Sequence, residues 1–135
     1  MGYDPVSYFT KGEPEYGSAK FAAIWHDALW LFADSEHQSA FLADPEKYAP
    51  AFGGFCAYCA ALGHKVHADP REWVIRDGKL YMHESENVRT TWLKQPEQYI
   101  AEAANAWQTL QLKTLDPAAS SPATENIAQA LKLLR

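Results

Sequence analysis

The chain has 135 residues, close to the commonest size of a single domain. Hydrophobic residues make up 47% and aromatic residues 13% of it, a globular composition that excludes a disordered chain. Twelve basic residues stand against 17 acidic ones, for a net charge of −5, and no Lys/Arg run exceeds two residues. This balance argues against nucleic acid as a partner.

The start of the chain and its apolar runs bear on location. Residues 1–5 have neither the basic start nor the apolar stretch of a signal peptide. We therefore expect a cytoplasmic protein as the sequence is given, or a periplasmic or secreted one if a leader was removed. No apolar run approaches the roughly 20 residues that span a bilayer, so we expect a soluble protein without membrane insertion.

The first part of the chain predicts a hairpin and helices. Residues 6–9 are a short strand candidate. Residues 21–32 predict a β-hairpin with its turn near 26–28, because apolar segments flank a polar pair. Ser35, followed three residues later by Gln38, has the capping-box pattern that starts a helix.

The second part repeats these element types without an evident internal sequence repeat. Residues 55–62 are apolar and rich in alanine, which predicts a short helix. Residues 73–82 predict a second hairpin, because Asp77-Gly78 between apolar strands is a strong hairpin signal. Further helices are expected at about 85–94 and 97–107.

The predicted fold class is α+β, with two β-hairpins forming a small antiparallel sheet, flanking helices and an appended C-terminal helix. Residues 1–110 are expected to form one domain. Residues 111–135 are expected to be a linker and an amphipathic helix, with apolar side chains at Ile127, Leu131 and Leu134. That helix would dock on the domain, or bind a second copy or another protein.

Several segments, in order, carry a resemblance to a known family: residues 2–6, 30–35, 41–50, 53–57, Trp73 and 77–81. Together they resemble the YHS-domain family, and more narrowly its longer single-domain members, which are often secreted. The resemblance covers about residues 2–107. It implies a fold related to small treble-clef-like metal-binding modules, often found beside heavy-metal transport or sensing proteins.

The resemblance also identifies positions to compare with the family's metal ligands. In its short metal-binding members, a Cys follows Asp-Pro-Val and two more lie near the start of the first helix. Here Ser7, Ala33 and His37 stand at those positions, so His37 alone of the three can coordinate. The longer members share the Gly-Gly-aromatic-Cys element, which is residues 53–56 here.

Four soft or borderline ligands fall within twelve residues, in the pattern Cys-x2-Cys-x4-His-x2-His: Cys56, Cys59, His64 and His67. On a helix, the spacing of the two Cys places their sulfurs on one face. Two thiolates and two imidazoles suit tetrahedral zinc, and the sulfurs also suit Cu(I). The sequence therefore predicts binding of copper or zinc for metal sensing, storage or delivery, with His83 and His37 as additional candidate ligands.

Other interpretations stay open. A C-x-x-C at a helix N-terminus is typical of thiol redox proteins, with Cys56 attacking and Cys59 resolving, or with His64 acting as a base. Alternatively, both Cys are small core residues and both His are surface residues. A non-catalytic interaction module is the third possibility. The sequence has no Gly-rich phosphate loop or Ser-His-Asp order, which favours a binding protein over an enzyme.

Overall fold

The computed structural model describes residues 2–114. Within them, the chain divides into two compact units, one ending at Ala49 and the other beginning at Pro50, where the sequence predicts one domain over 1–110. The α+β class is confirmed. Most of the expected linker and C-terminal helix, residues 115–135, lies outside the described part. No helix in residues 2–114 is long and apolar enough to cross a bilayer.

The first unit contains a hairpin between short helices. Its elements are α1 (Ser7–Thr10), β1 (Ser18–Trp25), β2 (Ala28–Phe32), α2 (Ser35–Ala43) and α3 (Pro45–Tyr48). The strand predicted at 6–9 is wrong, because α1 occupies that segment. The Asp4 carboxylate accepts a hydrogen bond from the backbone N–H of Val6, 2.8 Å away, and this Asx-type turn starts a helical turn instead of a strand.

The hairpin predicted at 21–32 is confirmed. His26 and Asp27 both have positive φ, 50° and 60°, as a two-residue type I′ turn requires. The next helix begins one residue earlier than a Ser35 cap would place it. Asp34 is the N-cap, and its side chain accepts a hydrogen bond from the backbone N–H of His37 at 2.8 Å. Ser35 is instead the first helical residue.

The second unit begins with a tight turn at Ala51–Gly54. Its further elements are α4 (Ala57–Ala61), β3 (Asp69–Arg76), β4 (Lys79–His83), α5 (Glu86–Trp92) and α6 (Pro96–Leu110). The hairpin predicted around Asp77-Gly78 is confirmed, with both turn residues at positive φ. Each hairpin is a separate two-stranded sheet, so the expected single sheet is not formed. In the second unit, Cys56 forms an isolated parallel β-bridge with Met82 of β4. This bridge uses backbone groups of β4 that pairing with a further strand would need.

Both units use the same arrangement, and one short pattern, Leu-x-x-Pro-Glu-x-Tyr, repeats with it at residues 42–48 and 93–99, so the expectation of no internal repeat is wrong. Ser18 of β1 corresponds to Asp69 of β3, and Phe32 of β2 to His83 of β4, a constant separation of 51 residues. Each hairpin has the same register shift after its first pair, and each is followed by a capped helix and then a helix that begins with Pro. Six of the 31 pairs between residues 18–48 and 69–99 are identical, Leu29 and Leu80 among them, and the others differ because burial and turn geometry can be met by different residues.

The correspondence extends to one pair of core rings. In the first unit, Phe32 packs on Phe41 with ring centroids 5.0 Å apart. In the second unit, His83 packs on Trp92 with centroids 4.8 Å apart. His83 therefore occupies a core position that a phenyl ring fills in the other unit.

The capping residues give a test of the fold. Ser85 accepts a hydrogen bond from the backbone N–H of Val88 at 3.2 Å and caps α5 as Asp34 caps α2. We expect Ser85→Ala and Asp34→Ala each to lower the free energy of unfolding by about 1 kcal/mol, because a backbone N–H loses its acceptor. Chemical denaturation measures the change. Thr90→Ala, at an exposed position of the same helix α5, is the control and should cause no loss. Equal stability of all variants would contradict the assigned caps.

Candidate dithiol site

The backbone around Cys56 is fixed from both sides. The turn before it contains Phe52 and Gly53 with φ of 55° and 63°, and a Cβ on Gly53 would come within 3.2 Å of Trp107. Glycine at that position therefore allows the close approach of the indole. The backbone N–H of Cys56 donates to the Val66 carbonyl at 2.9 Å.

Cys56 is the N-cap of α4. Its Sγ accepts a hydrogen bond from the backbone N–H of Cys59 at 3.3 Å. No disulfide joins the two cysteines. Cys56 is fully buried and Cys59 is 7% exposed, so the pair lies beneath the protein surface.

Hydrogen bonding opposes the effect of burial on Cys56. The neighbouring side chain of Cys59 makes the largest contribution in lowering the pKa of Cys56 to about 5, against desolvation by burial. The neighbouring imidazole of His83 and the backbone N–H groups of Cys59 and Glu84 also favour the thiolate. These contacts favour the thiolate form of Cys56 over the thiol.

Cys59 has the opposite character. The neighbouring Cys56 sulfur, together with burial, raises the pKa of the Cys59 thiol well above its ordinary range. Its Sγ lies 3.5 Å from Oε2 of Glu84, whose carboxylate accepts the thiol hydrogen and also disfavours a second negative charge. The site therefore holds one thiolate and one thiol in contact.

His83 is fully buried beside this pair. Neither of its ring nitrogens makes a hydrogen bond of ordinary geometry, and the indole N–H of Trp92 also lacks an acceptor among the described residues. Leaving a buried polar group unsatisfied costs about 1–3 kcal/mol, which a phenyl ring at this position would not incur. The imidazole therefore lowers the pKa of Cys56 as a nearby polar ring. Its two nitrogen atoms remain available for hydrogen bonds.

Asp4 of the first unit takes the place of Cys56. The backbone N–H of Asp4 donates to the Glu15 carbonyl at 2.8 Å, as that of Cys56 donates to Val66. Oδ2 of Asp4 accepts from the backbone N–H of Ala33 at 2.9 Å, just after β2, and the Cys56 sulfur accepts from that of Glu84, just after β4. Both units therefore hold a buried acceptor at the same place, a carboxylate in one and a thiolate in the other.

The two histidines predicted as ligands do not join the thiols in a compact donor group among the described residues. His67 forms an isolated antiparallel bridge with Phe55, with ring centroids 5.3 Å apart, and burial lowers the pKa of His67. The backbone N–H of His64 donates to the Cys59 carbonyl at 2.9 Å, near the end of α4. Within residues 2–114, the predicted set of two Cys and two His does not form a group of donor atoms within 4.8 Å of one another.

Such a group does form in the first unit, from Asp4, Glu15 and His37. Nδ1 of His37 lies 2.6 Å from Oδ2 of Asp4, and its Nε2 lies 3.1 Å from the Thr10 hydroxyl. Glu15 accepts from Ser7 at 2.7 Å. Because these donor atoms are hydrogen bonded to one another or to neighbours, a metal ion would have to displace existing contacts. The sequence pointed to His37 but gave no signal for Glu15, which lies in a loop.

Comparison with known proteins finds no matching family model, curated protein or solved structure. The resemblance to the YHS-domain family therefore stays a prediction. Function has to be inferred from the geometry of the site.

The charge on Cys56 can be measured directly. We expect the ultraviolet absorbance of the thiolate to titrate with a midpoint near pH 5, because Cys59 keeps its proton in this range. His83→Phe introduces the phenyl ring that the first unit has at the corresponding residue, Phe32. This variant should have a higher titration midpoint. His67→Phe is the matched control and should leave it unchanged. A wild-type midpoint near the ordinary value of about 8.5 would contradict the assignment.

The same shift makes stability depend on pH. Because the pKa of Cys56 is lower in the folded than in the unfolded chain, its thiolate contributes stability that is fully present above the unfolded pKa of about 8.5. This contribution is lost as the pH falls through the folded pKa of about 5. The difference in unfolding free energy between wild type and Cys56→Ser should accordingly shrink from pH 8 toward pH 5.

Proposed function

We propose that this protein is a thiol-based redox protein in which Cys56 and Cys59 alternate between a dithiol and a disulfide. One observation carries the proposal: the Cys56 sulfur is fully buried and accepts a hydrogen bond from the backbone N–H of Cys59 at 3.3 Å, and both cysteines are free thiols. Thiol oxidation needs a thiolate as nucleophile and a second thiol close enough to resolve the intermediate. In this proposal Cys56 is the nucleophile and Cys59 is the resolving thiol.

The environment of the thiolate also favours the reduced state. Hydrogen bonds from Cys59 and from the backbone of Glu84 stabilise the negative sulfur, and they lose their acceptor charge when a disulfide forms. Stabilising the thiolate in this way makes a dithiol pair more oxidising. The disulfide would therefore be an intermediate that is readily reduced and not a structural crosslink.

His83 gives independent support to the proposal. A phenyl ring suffices at the corresponding core position of the first unit, so packing does not require an imidazole at residue 83. The imidazole stands beside the one buried thiolate of the described chain. A thiolate paired with an imidazole is the arrangement of activated cysteine nucleophiles.

Binding of a soft metal ion, copper or zinc, is the second candidate. The observation in its favour is that the two sulfurs lie beside an imidazole with unpartnered ring nitrogens, a donor set that suits Cu(I) or Zn(II). It ranks second because these donor atoms do not form a group within 4.8 Å of one another, so binding would require the side chains to move.

Mild oxidation tests the redox proposal. We expect treatment of the reduced protein with diamide to remove both thiols and to lower the mass by two hydrogens, with a Cys56–Cys59 crosslink in the peptide map. Dithiothreitol should reverse the change. Cys56→Ser and Cys59→Ser are matched controls that cannot form the crosslink. Two thiols that persist in the folded wild type under excess diamide and under excess hydrogen peroxide would overturn the proposal.

Elemental analysis tests the metal candidate separately. If the thiols serve redox chemistry, anaerobically purified protein should contain copper and zinc well below one ion per chain, and the Cys56→Ser/Cys59→Ser variant should contain the same amount. Stoichiometric metal that disappears in the variant would favour the second candidate instead. His64→Ala/His67→Ala is the control for the ligand set predicted from sequence.

A further inference from the structure

Burial restricts which oxidant can reach Cys56. Thiol–disulfide exchange places three sulfur atoms almost in line, so the incoming disulfide must approach the attacked thiolate closely. Cys56 has no exposed surface, and its partner Cys59 is only 7% exposed. A glutathione disulfide or a protein disulfide is too large for such an approach, so the restriction favours a much smaller oxidant.

The surroundings of the sulfur indicate the polarity of that oxidant. Both ring nitrogens of His83 and the indole N–H of Trp92 are buried without hydrogen-bond partners, and their rings lie 4.8 Å apart. Buried polar atoms without partners are rare in native proteins and call for an explanation such as a bound polar molecule. Oxygen atoms of a small ligand next to Cys56 would supply the missing partners.

Glu84 provides a connection to solvent. It is exposed, follows directly after His83 in the chain, and accepts a hydrogen bond from the Cys59 thiol at 3.5 Å. A carboxylate at this position can take the thiol proton and exchange it with water. The buried pair therefore has a proton acceptor that reaches the surface.

From these contacts we infer that the oxidant of this site is a small hydroperoxide, hydrogen peroxide above all, with His83 as the proton donor to its leaving oxygen and Glu84 as the proton acceptor of Cys59. This inference rests on the proposed redox function and names its substrate class.

In the first step, the Cys56 thiolate attacks one oxygen of the hydroperoxide. A sulfur–oxygen bond forms and the oxygen–oxygen bond breaks, so the sulfur is oxidised and the peroxide is reduced. The proton that Cys56 gave up on ionising reaches this leaving oxygen through the His83 ring, and the oxygen departs as water or an alcohol. Cys56 is left as a sulfenic acid and His83 as a neutral imidazole.

In the second step, Glu84 takes the proton of Cys59, and the resulting thiolate attacks the sulfenic sulfur of Cys56. The disulfide bond forms and the sulfur–oxygen bond breaks. The departing hydroxide takes the proton from Glu84 and leaves as water. Over both steps, two thiols and one hydroperoxide give a disulfide, water, and a second water or an alcohol; an external dithiol then restores the pair.

Rapid mixing of the reduced full-length protein with hydrogen peroxide or with glutathione disulfide separates the oxidant classes. We compare the ratio of the rate constant with hydrogen peroxide to that with glutathione disulfide. This ratio should be about tenfold or more higher for the protein than for free dithiothreitol, because access limits exchange at a buried sulfur. Cumene hydroperoxide, which is bulkier, should react more slowly than hydrogen peroxide. In Cys59→Ser, dimedone should trap the sulfenic acid on Cys56.

Two further variants test the assigned proton transfers. Glu84→Gln should leave sulfenic acid formation unchanged but slow disulfide formation, whereas the neighbouring exposed Glu86→Gln should change neither step. His83→Phe should slow the first step by about a hundredfold, the loss expected when a general acid is removed. The rates are compared at a pH where Cys56 is a thiolate in both the wild type and the variant.

The outcomes distinguish this inference from the proposal on which it rests. A disulfide that forms with glutathione disulfide as readily as with hydrogen peroxide would overturn the inference and leave the redox function intact. A pair that neither oxidant nor diamide crosslinks would overturn both. An unchanged first step in a folded His83→Phe would remove the imidazole as proton donor.

Discussion

The second unit is organised around a negative sulfur buried at the start of a short helix. The Cys56 thiolate accepts hydrogen bonds from the backbone of Cys59 at the beginning of α4 and of Glu84 just after β4. A buried charge is tolerated only when such partners replace the lost water. The sulfur thereby connects the helix and the hairpin, and the same contacts that fix the fold make the thiol ionise.

The corresponding place in the first unit shows what this position requires. Asp4 is fully buried there, and its carboxylate accepts backbone hydrogen bonds from Val6 and Ala33. A carboxylate is an anion by its ordinary chemistry, whereas a thiol becomes one only if its surroundings stabilise the charge. One arrangement therefore gives a hydrogen-bonded structural network in the first unit and a potential nucleophile in the second.

The imidazoles of the two units have unlike surroundings. His37 comes from the first turn of α2, and its two ring nitrogens face Asp4 and Thr10. His83 comes from the end of β4, in place of a phenyl ring, and keeps both nitrogens without partners. A satisfied imidazole contributes mainly to local structure, while an unsatisfied one beside a thiolate has proton-transfer capacity left. This difference is the physical reason for placing the proposed chemistry in the second unit.

Local sequence determined much of the fold. The α+β class, both hairpins and most helices followed from apolar patterns, from the Asp77-Gly78 turn and from capping residues, because these signals act over a few neighbouring positions. The segment at 6–9 was misread, since one side-chain hydrogen bond from Asp4 turned an apparent strand into a helix. Cys56 and Cys59 were also identified from their spacing alone.

Only the tertiary structure decided the rest of the site. Sequence proximity suggested His64 and His67 as partners of the thiols, but within residues 2–114 these four side chains do not bring their donor atoms together. His83 and Glu84 reach the sulfurs through the pairing of β3 with β4 and the bridge from Cys56 to Met82, across more than twenty residues of chain. For the same reason, the repeated architecture was not recognised from the sequence. Packing conserves the place of a side chain in three dimensions, and it accepts a phenyl ring or an imidazole, a carboxylate or a thiolate, at that place.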